Sequence, residues 1–535
     1  MRLDGKGNAM LNRRSFLAGT AAALALPAIV RAEATRVLKF IPQSDLTVID
    51  PIWSTTYLAR NHGYMVFDTL FGMDSAYRIQ PQMLAAAVTD SDGRQWTLTL
   101  RDGLVFHDGE PVRARDCVAS IRRWAARDAL GGTLMATTDE LAAPDDRTIR
   151  FRLNKPFPRL PYALGKTSTP MCAMMPERLA ATDPFKQVTD MVGSGPYRFK
   201  ADERVSGSRA VYERFAGYVP RDGKDAGWTA GPKVAGFDRV EWITIPDDGT
   251  AAGALQAGEV DWWELPTDDL MPALHRAGHI RVEIKDPTGV MGFLKMNCLH
   301  PPFDNAAIRR ALLGAVVQQD FVTAIAGTDP KMWRTGVGVF CPGTDLATDV
   351  GMEVLNGPRD LARVKQDILA AGYKGETTAL MVATDTNYRK AMGDVGAAMM
   401  RSVGLTVDYQ AVDWGTAVQR RENKAPVEKG GWSGLFTTLS GLDLQVPSGH
   451  AFRANGEKAW FGWVSSPRIE ELRAAWLDAV DLPTEQRIAA DIQRQWWIDV
   501  PHIPIGQWFQ PTAYRDTLTG MADGFPIFWG VRRAA

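Results

Sequence analysis

The sequence predicts an α/β protein with more than one hydrophobic core, and three observations carry that expectation. Helical and strand periodicities alternate over residues 359–411, with Gly372 and Gly404 at the helix ends, which is the order of a parallel sheet flanked by helices. Residues 289–317 read as a strand, a turn at Pro301-Pro302, and a helix capped by Asp304 or Asn305 whose Ile308, Ala311, Leu312, Ala315 and Val316 share one face. The strand part (Val290, Phe293, Leu294, Met296) is a nearly continuous apolar run, as expected of a strand covered on both sides. A chain of 535 residues also exceeds what one core organises, so two or three substructures are expected.

The remaining elements follow in order. Residues 36–41 (RVLKFI) form the first expected strand, and Gln43-Ser44-Asp45 opens the loop after it. Trp96, Leu98 and Leu100 alternate with Thr97, Thr99 and Arg101 as in a half-buried strand; Asp102-Gly103 and Asp108-Gly109 mark turns. Pro111 precedes a helix that places Cys117, Ile121 and Trp124 on one face. Alternation returns over 148–153, and Gly193-Ser194-Gly195-Pro196 turns the chain into a strand at Tyr197. Residues 216–232 are a long glycine-rich loop. A strand over 237–245 leads to a helix from 251 that ends at Gly258, followed by a short strand over 260–265. Residues 325–358 lack periodicity and suit a wrapping loop. Residues 483–500 read as a helix and 503–514 as one apolar, strand-like segment.

Asn12-Arg13-Arg14-Ser15-Phe16-Leu17 is a twin-arginine run, followed by an uncharged, Ala-rich stretch and Val30-Arg31-Ala32. Residues 1–32 are expected to be a cleaved export signal, the key positions being Arg13, Arg14, Phe16 and Leu17. The uncharged stretch falls short of the roughly 20 apolar residues of a membrane span. This segment carries a net charge of +4, so the chain without it carries −5 in place of −1. Such a balance lacks the basic footprint of a nucleic-acid or anionic-lipid binder. The four cysteines, Cys117, Cys172, Cys298 and Cys341, match no zinc spacing and permit three full pairings.

Catalytic signatures are absent: there is no Walker loop, G-x-S-x-G or H-E-x-x-H, and Gly193-Ser194-Gly195 is too short for a dinucleotide fingerprint. His275 and His279 have the spacing of metal ligands on a helix, but Gly278 between them marks the helix end. No enzyme activity, cofactor or metal is therefore expected. Of the 17 tryptophans, Trp262-Trp263, Trp414, Trp432, Trp460, Trp463 and Trp508 are adjacent or loop-flanked, and neighbouring strand residues cannot all face one core. Some are expected to line a cleft, with Trp414 and Trp432 as candidates.

Four blocks in order, WTLTLRDGLVFHDGEPVRARDCVAS (96–120), GSGPYRF (193–199), the 289–317 stretch with PPFDNAAIRRAL, and IQRQWWIDVPHIPIGQWFQPTAY (492–514), resemble family 5 of the ABC-importer solute-binding proteins, the dipeptide, oligopeptide and nickel group. The resemblance spans the mature length. It implies a two-lobed periplasmic-binding-protein clamshell (type II, cluster C-like) with an extra subdomain over about 73–190. Lobe one would comprise 33–295 and 504–535 and lobe two 296–503, with crossings near Met296-Asn297 and 504–507. The implied activity is capture of a small peptide or peptide-like solute between the lobes, closure, and delivery to ABC permease subunits by a periplasmic monomer. A nickel chelate, an opine or another amphipathic solute is the alternative ligand. A periplasmic hydrolase is disfavoured for want of a nucleophile-base motif.

By the same resemblance, the 437–447 segment (TTLSGLDLQVP) corresponds to the ligand-facing loop of peptide-binding relatives, although their Asp-Pro step is missing. Asp443 is the implied partner of a ligand amine, Ser440 and Gly441 the implied hydroxyl or backbone contacts, and Gln43 and Ser44 the facing residues on lobe one. This chain also has Val317-Gln318-Gln319-Asp320 where the family often carries Ile-Asp-Arg.

Overall fold

A computed structural model describes residues 36–223 and 227–534. The export segment, with Arg13, Arg14, Phe16 and Leu17, lies outside the described residues.

Two mixed sheets organise two lobes. In the first, strands run in the order Ile280–Glu283, Thr512–Arg515, Trp262–Trp263, Val37–Ile41, Arg239–Ile243, Arg209–Arg214 and Tyr197–Phe199. The expected first strand is thus central, parallel to Arg239–Ile243 and to Trp262–Trp263. The paired tryptophans obey the two-residue alternation of a strand: Trp262 enters the main core of this lobe, and Trp263 the smaller core on the other face with Ala251, Leu255 and Leu274.

The second sheet has the order Trp333–Arg334, His502–Trp508, Val290–Met296, Gly434–Ser440, Thr377–Ala383 and Thr406–Val412. Its last three strands are parallel: the helix Asn387–Ser402 crosses from Thr377–Ala383 to Thr406–Val412, as the 359–411 alternation predicts, and Trp414–Arg420 lies in the connection from there to Gly434–Ser440. Val290–Met296 is sandwiched between two strands and buried from Met291 to Met296. Asn305 caps the following helix, Ala306–Leu313, its side chain accepting from the Ala307 amide at 2.9 Å. Gln318, in the stretch that departs from the family pattern, is buried; its amide donates to the Val337 carbonyl at 2.8 Å and accepts from the Val337 amide at 3.0 Å.

The chain exchange between lobes lies elsewhere than expected. Val290–Met296 and His502–Trp508 pair with each other inside the second sheet, whereas Ile280–Glu283 and Thr512–Arg515 pair with each other inside the first. The crossings therefore fall at 284–289 and 509–511, and not at Met296-Asn297 and 504–507. The apolar run over 503–514 conceals this break, because Phe509, Gln510 and Pro511 separate two strands that serve different sheets.

Within the expected extra segment, Leu84–Thr89, Gln95–Leu100, Thr148–Leu153 and Thr138–Ala142 form a four-stranded antiparallel sheet. The helix Ala114–Ala125 covers it with Cys117, Ile121 and Trp124 buried, and this core is continuous with that of the first lobe. All four cysteines are free thiols, so no disulfide constrains either lobe.

Candidate functional site

The two sheets face each other across a cavity of about 830 Å³ lined by both lobes and by the 284–289 crossing. The first lobe contributes the start of the helix Tyr57–Val66. Thr56 caps this helix, and all residues from Leu58 to Val66 are buried, so only its first turn can face the cavity. Tyr57 and Arg60, three residues apart, share that face and line the cavity. Arg60 is only 4% exposed; the Phe525 ring lies 3.8 Å from its guanidinium, and its Nε and Nη2 donate to Asn61 Oδ1 at 3.2 and 3.1 Å. Its Nη1 is buried without a partner.

Glu264 follows the Trp262–Trp263 strand and is 5% exposed. It accepts from the Gln43 amide at 2.7 Å and from Gln43 Nε2 at 3.2 Å. Burial pushes its carboxyl up from 4.5 to about 7, against the opposing influence of the Gln43 hydrogen bonds and the Arg60 charge. The native state therefore holds a proton that the unfolded chain releases between about pH 4.5 and 7, which makes stability fall as pH rises through that window, by about 3 kcal/mol in full. His62 and His107, buried and depressed to about 3 and 4, act in the opposite direction between those values and about 6.5, a window that overlaps that of Glu264. The comparison of wild type with Glu264→Gln isolates the carboxyl. Its expected result is a stability advantage of the variant that grows between pH 5 and pH 8 in thermal melts; a pH-independent difference would show that Glu264 ionises normally.

From the second lobe, Arg389 lies in the first turn of the Asn387–Ser402 helix, 4.1 Å from the Trp414 ring and 4.7 Å from that of Tyr388. Arg421 lies 4.0 Å from the Phe461 ring, and its Nε has no partner. The strand Gly434–Ser440 ends at the cavity and turns into the short helix Gly441–Leu444. Here the lobes touch: the Tyr57 hydroxyl donates to Asp443 Oδ2 at 2.6 Å and accepts from the Ser440 amide at 3.1 Å. Burial raises the Asp443 carboxyl, while the Tyr57 bond and the Arg60 charge pull it down.

The residues expected from sequence separate into three groups. Gln43, Ser44, Trp414 and Ser440 line the cavity. Asp443 stands behind Tyr57, its carboxylate engaged across the lobe boundary. Gly441 and Trp432 are placed structurally. A Cβ on Gly441 would lie 2.1 Å from the Thr288 carbonyl oxygen, so glycine is needed for close approach to the crossing segment. Trp432 is 1% exposed, packs with Met381, Leu435 and Trp463, and donates Nε1 to the Arg421 carbonyl at 3.1 Å. Its adjacency to a loop suggested a cleft residue; its side chain instead fills a satellite core beneath the cavity wall.

Tyr57, Arg60, Glu264, Arg389 and Arg421 were not anticipated. A signal existed for two of them: Arg60 interrupts an otherwise buried helix, and Glu264 follows two strand tryptophans, positions where charge needs a reason.

Comparison with known proteins agrees with this architecture. The family model for "Bacterial extracellular solute-binding proteins, family 5 Middle" matches residues 78–442. The chain is 35% identical over 535 residues to "Probable peptide ABC transporter periplasmic-binding protein y4tO" of Sinorhizobium fredii, covering 98% of this chain and 100% of that protein. It is 25% identical over 501 residues to "Glutathione-binding protein GsiB" of Pectobacterium atrosepticum, covering 89% and 90%. Among solved structures, AgaA of A. tumefaciens R10 in complex with agropinic acid superposes with a TM-score of 0.76 at 16% identity, covering 93% of this chain and 99% of that one. DppA of Helicobacter pylori in complex with peptide STSA does so with 0.75 at 20%, covering 93% and 98%. These two show the same two-lobed fold. The match over most of the chain and the relative identical at more than a third of positions place this protein in family 5 of the bacterial extracellular solute-binding proteins, which bind solutes for transport and are not enzymes.

Proposed function

We propose that this protein captures a small peptide or peptide-like solute between its lobes in the periplasm and delivers it, as a monomer, to the membrane subunits of an ABC importer. The observation that carries this reading is the cavity of about 830 Å³, bounded by both lobes and mixing guanidinium, carboxylate and indole groups. That volume is in the range of sites that enclose a small organic ligand, and the polar groups suit a zwitterionic backbone. The relative named for peptide transport, identical at 35% of positions, supports the same class. An opine is the second reading, supported by the agropinic acid complex of the similarly folded AgaA. Mass spectrometry of the small molecules released on denaturing natively purified protein tests the choice. Peptides are the expected cargo; recovery of only sugars or a metal chelate overturns the reading.

The twin-arginine route belongs to the same proposal. Replacing Arg13 and Arg14 together by lysine is expected to leave precursor in the cytoplasm, read by fractionation and immunoblot. Undiminished periplasmic yield would point to the general export route.

A further inference from the structure

Four cations line the cavity: Arg60, Lys285, Arg389 and Arg421. Lys285 is neutralised by Glu283 at 3.0 Å and Asp523 at 3.8 Å. Among the described residues, none of the three arginines has a carboxylate within ion-pair distance, and Arg60 Nη1 and Arg421 Nε make no hydrogen bond. An unpaired buried guanidinium is costly, and buried polar groups are normally satisfied. The two cavity carboxylates do not meet this demand. Glu264 is occupied by Gln43, and Asp286 accepts from the Thr288 amide at 2.9 Å and its hydroxyl at 2.6 Å. Burial raises both carboxyls and lowers the three guanidinia, which is the direction expected of charges that lack a partner in the cleft.

The arginines are also held in place. Phe525 and Tyr57 flank Arg60, Trp414 and Tyr388 flank Arg389, and Phe461 flanks Arg421. Packing over an aromatic face orients a guanidinium for a carboxylate through the N–H groups it leaves unused. Arg60 spends Nε and Nη2 on Asn61 and Arg389 donates Nη1 to Thr386 Oγ1 at 3.0 Å, while Arg60 Nη1 and Arg421 Nε have no partner. Arg60 belongs to one lobe, and Arg389 and Arg421 to the other.

We propose that the cleft selects solutes bearing two carboxylates, one received by Arg60 on the first lobe and the other by Arg389 and Arg421 on the second. Small acidic peptides and peptide-like dicarboxylates share this chemistry. The inference rests on the solute-binding reading and specifies its substrate class. Bridging the two lobes by one dianion would also couple recognition to closure.

The test is calorimetric titration of ligand-stripped mature protein with Ala-Ala-Glu, with its near-isosteric neutral-side-chain control Ala-Ala-Gln, and with N-(1-carboxyethyl)alanine, a dicarboxylate lacking a peptide bond. Ala-Ala-Glu is expected to bind at least about tenfold tighter than Ala-Ala-Gln, the lower end of what a hydrogen-bonded charge contributes. Arg389→Gln, at a partly buried position outside the hydrophobic cores, is expected to reduce this ratio to near one; Arg60→Gln should do the same if it melts normally. Equal, tight binding of both peptides overturns the two-carboxylate inference and leaves the peptide reading intact. Binding of N-(1-carboxyethyl)alanine alone upholds the inference and overturns the peptide reading. Failure of both dicarboxylates to bind overturns the inference.

Discussion

Arg123→Met is expected to destabilise the first lobe by about 3–5 kcal/mol, the cost of leaving a buried carboxylate without its cation. Asp50 and Arg123 have side chains 0% and 1% exposed, with Arg123 Nη2 donating to Asp50 Oδ2 at 2.7 Å. The pair is embedded in further bonds. Asp50 accepts from the amides of Ile52, Trp53 and Val188, and Arg123 donates to the carbonyls of Thr182, Asp183 and Lys186. One guanidinium on the helix Ala114–Ala125 thus ties the 182–188 loop to the 50–53 turn, which leads directly into the helix bearing Tyr57 and Arg60. Denaturant unfolding read by tryptophan fluorescence measures the loss, and the double variant Arg123→Met with Asp50→Leu should recover much of it because no orphaned charge remains. A loss under about 1 kcal/mol for the single variant would mean that water or a neighbouring group already compensates Asp50. The same variant is expected to weaken ligand binding, since the turn that aims Tyr57 and Arg60 loses its anchor.

Periodicity made the lobes legible where local pattern and tertiary environment agree. The strand Thr377–Ala383 and the helix Asn387–Ser402 could be read to within a residue because each is apolar on the face or faces that the sheet and its covering layers bury. The crossings were misplaced for the complementary reason: an apolar run says that residues are buried but not in which sheet, and both halves of 502–515 are buried. The cleft was half legible. Gln43, Ser44 and Ser440 came from the family resemblance, and they stand at or just after strand ends, where open α/β sheets present ligand contacts. Trp432 and Gly441 sit in equally loop-like stretches, but close packing against Trp463 and Thr288 turned them inward. Arg60, Arg389 and Arg421 come from helices or the loop after one, the first more than 300 residues from the other two, and only the folded chain brings them to one cavity.

Tyr57→Phe is expected to shift the lobes toward an open arrangement. The substitution removes two contacts across the boundary at once, the donation to Asp443 and the acceptance from the Ser440 amide, and leaves the carboxylate without its hydrogen-bond donor. A hydrogen bond to a charged group contributes about 1.5–3 kcal/mol, so the closed-to-open ratio should fall by roughly 10- to 150-fold. Other bridges set the limit of that shift. Lys155–Asp478 is half exposed on both sides and adds little, whereas Arg159 meets Glu485 at 2.8 Å with both side chains about 15% exposed and stacks on Trp476 at 4.9 Å. Tyr57→Phe combined with Arg159→Ala should therefore open the cleft further than either change alone. Distances between spin labels on the two lobes, measured without ligand, provide the readout; an unchanged distribution in Tyr57→Phe would show that the hydroxyl does not hold the lobes together. The sign of the pH effect follows from Asp443, whose carboxyl burial raises when the lobes meet. The closed form then binds more protons than the open one, so closure is favoured at low pH and weakens as pH rises through the raised value. Asp443→Asn keeps an acceptor for Tyr57 but cannot titrate, and should retain closure while flattening its dependence on pH.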